Sequence, residues 1–429
     1  MNSLVNKSPK EKAKMIAGIS IGNALEYFDF ALFTFFAIYI GHNAFPKQSE
    51  TAQVLLALAI YGIGYIARPL GGVVLGRYAD TKGRKAAINL TLILMAVGTC
   101  LIGIAPSYEA VGVLSPIIVI LGRLVQGFSA GGETGTSTTL LAELAPPNQR
   151  NFFVSWQGAS QGIAVLLASA VTLIISTSLD DQAMQSWGWR IPFFIGLIII
   201  PIGFYLRKNL EETAHIHTED EPGKTKAAVQ KVKISAYLPI AIQGMFMVLG
   251  ANAAYTIINL YMPTYGVREL GLSHSVASLA ALVAAVMMLV FAPIGGILSD
   301  KYGTKKVVII SRVLSLVLVY PVFLFITEHP STLTLLCGIG FLSFIGALGG
   351  AGIFALLTEL FPRGIRVTGM SIVYSIAVAI GGGFGQFIVT YLIELTGNPL
   401  APAFYLIVIG FFSLIAILFV KDRTGMKLD

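Results

Sequence analysis

Apolar runs of about twenty residues recur along this chain and limit what it can become more than any other feature. A helix rises about 1.5 Å per residue, so a run of that length crosses a hydrocarbon core about 30 Å thick. We read twelve spans, at 16–40, 51–76, 86–105, 114–142, 151–177, 189–207, 236–262, 274–299, 307–326, 332–359, 367–395 and 402–420. Hydrophobic residues make up 55% of the chain and charged residues 12%, about half the charged share of an ordinary soluble domain. The fold expected is an all-α membrane protein. Glycine is frequent, 45 of 429 residues, as suits helices that pack closely in lipid, where no hydrophobic force drives them together.

The basic residues then orient the spans. With the N-terminus in the cytoplasm, 24 of the 29 lysines and arginines fall in cytoplasmic tails and loops, Arg312 among them. Lys47, Arg190 and Arg268 fall outside, and Arg68 and Arg123 fall within the membrane. That asymmetry follows the positive-inside rule and puts both termini in the cytoplasm. It also accounts for the net charge of +7 without a nucleic-acid partner. The polar, basic N-terminus and the long first apolar run do not fit a cleavable signal peptide.

A polar connection over 209–235 divides the helices six and six. The expected organisation is an N-terminal tail (1–15), a six-helix bundle (16–208), the cytoplasmic linker, a second six-helix bundle (236–421) and a tail (422–429). The bundles repeat each other. GRYADTKGRK after the second span, with Gly76, Asp80, Gly83 and Arg84, is echoed 220 residues later by GILSDKYGTKK, with Asp300 and Gly303. Glu143, Pro146 and Arg150 recur 216 residues on as Glu359, Pro362 and Arg366. A repeat of one six-helix unit is expected of parallel-repeat transporters. An aspartate at a helix end, followed by a tight turn, can bond to a neighbouring helix N-terminus and latch the halves together. Gly76, Asp80, Gly83, Arg84, Asp300, Gly303, Glu143 and Glu359 are the candidate gating residues; alternatively, these loops only set topology.

These motifs resemble the helix 2–3 and 8–9 signatures of the major facilitator superfamily. GNALEYFDF, ARPLGG, GRLVQGFSAGGE, SWQGASQ, WGWRIPFF and ELFPRGIRVTG are similar to its metabolite–proton symporter branch, closest to citrate and tricarballylate symporters. The resemblance covers nearly the whole chain. It implies two pseudo-symmetric bundles, a central cavity, and secondary transport of a small organic anion, citrate or a related di- or tricarboxylate, with protons. It departs from the family at GGGFGQF (381–387), where a proline usually follows the glycine pair.

Five charges lie deep in the spans: Glu26, Asp29, Arg68, Arg123 and Glu133. Each would cost about 2.5–3.5 kcal/mol facing lipid at mid-bilayer, so they are expected to face the bundle interior. All five belong to the first half, and the positions matching Arg123 and Glu133 are Ile339 and Gly349. Asn23, Glu26, Asp29 and Phe30 share a helix face by their spacing. Burial opposes ionisation of a carboxyl and a nearby guanidinium favours it. Competition between the two suits a group that takes up and releases a proton, so Asp29, Glu133, Glu26 and Arg123 are the candidate coupling residues. Alternatively, the charges form permanent pairs that orient helices.

Candidate substrate-binding residues are Asn23, Tyr27, Arg68, Arg123, Gln157, Gln161, Asn252, Tyr255, Asn259 and Tyr374. Two intramembrane arginines and little aromatic caging favour a carboxylate over a quaternary ammonium. The alternatives left open are an α-ketoacid, shikimate, proline or betaine, a citrate-based siderophore, a proton-coupled exporter, and a sensor that binds without transporting. No phosphate-binding glycine loop, nucleophile motif or metal-spaced His/Cys set points to an enzyme, a cofactor or a metal. The partners expected are the anion, protons and membrane lipid, and the chain is expected to act as a monomer. A cysteine introduced into 209–235 should react with a membrane-impermeant maleimide in inside-out vesicles and stay unlabelled in right-side-out ones.

Overall fold

Serine side chains start several of the bilayer-length helices. Ser49, Ser273 and Ser331 each accept a hydrogen bond from the backbone N–H three residues on, and Thr334 Oγ1 in turn accepts from the Ser331 N–H. Such caps satisfy donors that a helix N-terminus leaves open. Gly303, at φ +100°, closes the turn between two helices in a conformation that L side chains avoid.

The computed structural model describes residues 9–47, 49–82, 84–131, 133–197, 237–362 and 366–426. The expected linker and Gly83 lie outside these, as do the side chains of Asp80 and Arg84 and the surroundings of Gly76. The described part is helical, without strands. In the first half, α1 (Pro9–Phe35) bends by 64° at Phe36 into α2 (Ala37–Ala44). Next come α3 (Glu50–Ile66), α4 (Arg68–Lys82), α5 (Arg84–Gly103), α6 (Leu114–Ala130), α7 (Glu133–Leu144) and α8 (Arg150–Ser178). The second half holds α9 (Leu238–Tyr255), α10 (Met262–Arg268), α11 (His274–Tyr302), α12 (Thr304–Glu328), α13 (Thr332–Leu360), α14 (Arg366–Val378), α15 (Gly385–Thr396) and α16 (Ala401–Leu418). Among the described residues nine helices are long and apolar enough to span a bilayer, or ten with the bent pair counted as one. The expected third span corresponds to α5, whose described apolar part is Leu90–Gly103, and the expected sixth span, 189–207, lies only partly within the described residues.

π-helical turns interrupt two spans. One, Thr256–Tyr261, precedes Pro263, whose ring cannot donate a backbone hydrogen bond. The other, Ala379–Gly383, lies in the three-glycine stretch and supplies a break without proline. Added Cβ atoms at Gly382 and Gly383 would strike Asn252 Oδ1 and the Tyr65 ring. The glycines therefore serve close approach to neighbouring helices as well as bending.

Large apolar side chains such as Leu70, Ile174, Val317, Leu333 and Phe419 face outward, as lipid requires. Inside, α6 packs backbone to backbone against α3 and α4. A Cβ at Gly127 would collide with the Gly64 carbonyl, and one at Gly131 with the Arg68 carbonyl. The halves meet mainly along α8 and α11, where Gly162 lies against the Ala285 and Leu289 backbone, and along α3 and α15. Gly127→Val should lower the melting temperature of purified protein by several degrees, since overpacking a tight contact costs about 1–3 kcal/mol. Gly346→Ala, where nothing lies near the added carbon, should leave it unchanged.

Candidate functional site

The face of α1 that carries Asn23, Glu26, Tyr27, Asp29 and Phe30 points into the protein, and all five residues are buried. Each meets a different neighbour. Asn23 donates to Ser160 Oγ at 2.8 Å and accepts from Gln157 Nε2 at 2.8 Å, which ties α1 to α8. Glu26 pairs with Arg68 at 2.9 Å, with the two side chains 2% and 1% exposed. Asp29 accepts from Thr99 Oγ1 at 2.6 Å. Thr99 accepts from Gln126 Nε2 at 2.9 Å, and Gln126 accepts from Arg123 Nη1 at 2.8 Å. Every donor in this chain points from Arg123 towards the Asp29 carboxylate.

Phe30 lies against both guanidiniums, with its ring centre 4.6 Å from Arg68 Cζ and 4.3 Å from Arg123 Cζ. Tyr65 also flanks Arg68, and Phe33 and Tyr61 flank Arg123. Aromatic faces stabilise a desolvated cation electrostatically. The cluster is thus held by helix 1 aromatics together with the polar chain. Thr99 and Gln126 were not candidates from the sequence. Gln126 sits inside GRLVQGFSAGGE and was within reach of that reading; Thr99 stands in an apolar run and gave no signal. Glu133 opens α7 and is half-buried.

A cavity of about 110 Å³ lies among the second-half helices, where they face Gly158 and Gln161 of α8. Gln161, Asn252, Tyr255, Asn259 and Tyr374 line it, together with Ser311, Arg312, Ser315 and Ser343. Tyr27 reaches it indirectly: its hydroxyl lies 2.7 Å from that of Tyr374, and its ring meets Tyr255 edge to face. Arg68 and Arg123 are not among the lining residues. The expectation that every deep charge belongs to the first half needs correction. Arg312, placed in a cytoplasmic loop from the sequence, lies eight residues inside α12 and donates to the Gly250 carbonyl at 3.1 Å. Four buried polar atoms on the cavity-lining residues lack a hydrogen-bond partner among the described residues: Gln161 Nε2, Asn252 Oδ1, Tyr255 Oη and Arg312 Nε. Unmade bonds of this kind are costly unless something fills them.

Contacts between the halves stand on both sides of the cavity. At the end rich in basic residues, Asp300 accepts from the backbone N–H groups of Asn151 and Phe152, each at 2.9 Å. Its carboxylate thus meets the N-terminus of α8, where the helix dipole favours a negative charge. Arg150 pairs with Glu359 at 2.5 Å and Arg366 with Glu143 at 3.0 Å, two crossings related by the internal repeat. Residues 422–426 add a strap: Thr424 meets Thr304, Asp422 accepts from the Lys305 N–H, and Arg150 donates to the Met426 carbonyl. Towards the opposite end, Gln386 donates to Thr34, Arg268 to Thr51, and Phe384 packs where Gly62 leaves room. Asp300→Asn should loosen the basic end, because hydrogen bonds to a charged acceptor contribute about 1.5–3 kcal/mol. A cysteine replacing Thr139, which touches Met370 across the halves, should then be alkylated several-fold faster.

Comparison with known proteins bears on what this arrangement serves. Residues 15–215 match the family model "Sugar (and other) transporter", and residues 245–428 match "Major Facilitator Superfamily". The chain is 38% identical to the citrate-proton symporter of Klebsiella pneumoniae over 416 residues, covering 96% of this chain and 93% of that one. It is 31% identical to the proline/betaine transporter of Escherichia coli K12, over 97% and 84%. Among solved structures, a D-xylose-proton symporter superposes with a TM-score of 0.74 at 20% identity, over 98% of this chain and all of the other, which speaks to fold alone. Full-length relatedness, the repeated helical halves and the cavity they line agree: the chain belongs to the major facilitator superfamily, as a member of its metabolite–proton symporter branch.

Proposed function

We propose that this protein is a proton-coupled symporter that imports a small organic anion, citrate or a related di- or tricarboxylate, across the inner membrane by alternating access. The observation that carries the reading is the cavity with its unpartnered amide, hydroxyl and guanidinium groups, which call for a polar, anionic occupant. The likeness to citrate-proton symporters supports the same solute class. The basic end is the cytoplasmic side, by the positive-inside distribution.

Two parts of the molecule divide the work. The polar chain from Arg123 through Gln126 and Thr99 presents three aligned donors to an ionised Asp29. Protonation of Asp29 removes the charge that orders those donors and so frees α1 to shift against α5 and α6. Glu26 is held by Arg68 and steadies α1. The carboxylate–helix contact at Asp300 and the two crossed ion pairs close the cytoplasmic side, and they must part for release. A polyanion gains from the membrane potential only when it enters with an excess of protons, since each net positive charge moved inward gains about 2.3 kcal/mol per 100 mV.

Relatives that carry proline and betaine, together with the tyrosines 27, 255 and 374 beside the cavity, favour a second reading, a zwitterionic solute. Uptake into proteoliposomes under an inward proton gradient decides between them. Labelled citrate should accumulate and be displaced by unlabelled tricarboxylates; displacement by betaine alone would overturn the anion reading. Asp29→Asn should abolish accumulation driven by the gradient at least tenfold while leaving citrate counterflow measurable. Full accumulation by that variant would remove Asp29 from coupling.

A further inference from the structure

Among the described residues, three arginines lie inside the membrane-spanning helices away from the gates, and their surroundings differ. Arg68 has Glu26. Arg123 reaches Asp29 through two hydrogen-bonded side chains and is walled in by aromatic rings. Arg312 ion-pairs with no carboxylate among the described residues, and no aromatic ring covers it there. One bond, to the Gly250 carbonyl, steers its guanidinium, and Nε is buried with no partner. It is also the one of the three that lines the cavity. A guanidinium in such a setting is expensive unless an anion joins it. Its planar fork suits a carboxylate, which can accept two parallel bonds.

Its neighbours fit the same guest. Gln161 Nε2, across the cavity on α8, is a donor without an acceptor, and the Tyr255 hydroxyl is also unpartnered. Ser311 and Ser315 flank Arg312 on α12, but their hydroxyls bond to the Ile345 and Ser311 carbonyls. The donors left over therefore come from both halves and meet at one place. We propose that Arg312 is the carboxylate-binding residue of the substrate site, and that Gln161 and Tyr255 complete a subsite for one carboxylate of a di- or tricarboxylate. This assignment rests on the anion reading above. The second half then supplies the charge that selects the solute, whereas Arg68 and Arg123, expected to bind it, hold Glu26 and serve the proton network. A solute bridging Arg312 and Gln161 also spans the two halves, so its binding stabilises their closure around it.

The test uses full-length protein in proteoliposomes, with citrate and tricarballylate as probes and melting temperature as a second readout. Wild type should show a concentration-dependent rise in melting temperature with tricarballylate, because binding to the folded state stabilises it by mass action. Arg312→Gln should melt at the wild-type temperature without ligand, lose that rise, and raise the KM for citrate counterflow at least tenfold. Arg312→Lys, which keeps the charge and loses the fork, should fall between. Ser315→Asp places a carboxylate one helical turn from Arg312 and should weaken citrate binding as strongly, at least fivefold more than the uncharged Ser315→Asn, which adds similar bulk without the charge. That pair carries the test if Arg312→Gln does not fold. A KM within twofold of wild type in Arg312→Gln or Ser315→Asp would overturn the assignment while leaving the anion reading standing. Wild type that neither binds nor transports any carboxylate would overturn both.

Discussion

Placing a guanidinium in a low-dielectric interior is the physical problem around which this protein is arranged. Two solutions come from the protein's own side chains. Arg68 has a carboxylate at 2.9 Å, and Arg123 is enclosed by Phe30, Phe33 and Tyr61 and wired to Asp29. Both depend on α1, whose single face offers carboxylates and an aromatic ring to both arginines. Removing one partner of a buried pair leaves an uncompensated charge, which costs far more than the pair contributes to stability. Such pairs hold orientation and register, here of α1 against α4 and α6. The third guanidinium, Arg312, lines the cavity without a carboxylate partner among the described residues.

The glycine contacts follow from the same requirement. α6 can bring Arg123 beneath Phe30 only if it lies close to α3. Gly127 and Gly131 allow that approach by letting backbones touch. In lipid, close van der Waals packing replaces the hydrophobic force that would join such helices in water. The two π turns serve a related end. They sit where α9 and α14 pass the cavity and the opposite half. A helix already broken there can change its local winding without losing a regular ladder.

At the two ends the halves meet by different chemistry. The basic end uses charge: a carboxylate on a helix N-terminus, two crossed ion pairs and a strap from residues 422–426. The other end uses Gln386, Arg268 and the packing of Phe384 against Gly62. Charged contacts weaken when water enters and strengthen when it leaves.

Much was legible in the sequence. Hydropathy alone marks the spans, because the bilayer sets their length. The repeat of Asp80 and Asp300, and of Glu143 and Glu359, exposes the duplication, because both halves need the same turn chemistry. The face of α1 follows from helical spacing. What tertiary structure decided was which charge meets which. Glu26 and Arg68 are 42 positions apart, and Asp29 and Arg123 are 94 apart, linked through Thr99 and Gln126. No spacing rule connects residues on different helices. Arg312 shows the limit most plainly. In sequence it stands near a run of lysines at a cytoplasmic turn and counts as one more topological cation. Only the packing of α12 against α13 and α16 carries it inward to the cavity, where it reaches the Gly250 carbonyl of α9. A linear pattern records how far along a helix a residue lies, and the direction it faces depends on neighbours the pattern does not contain.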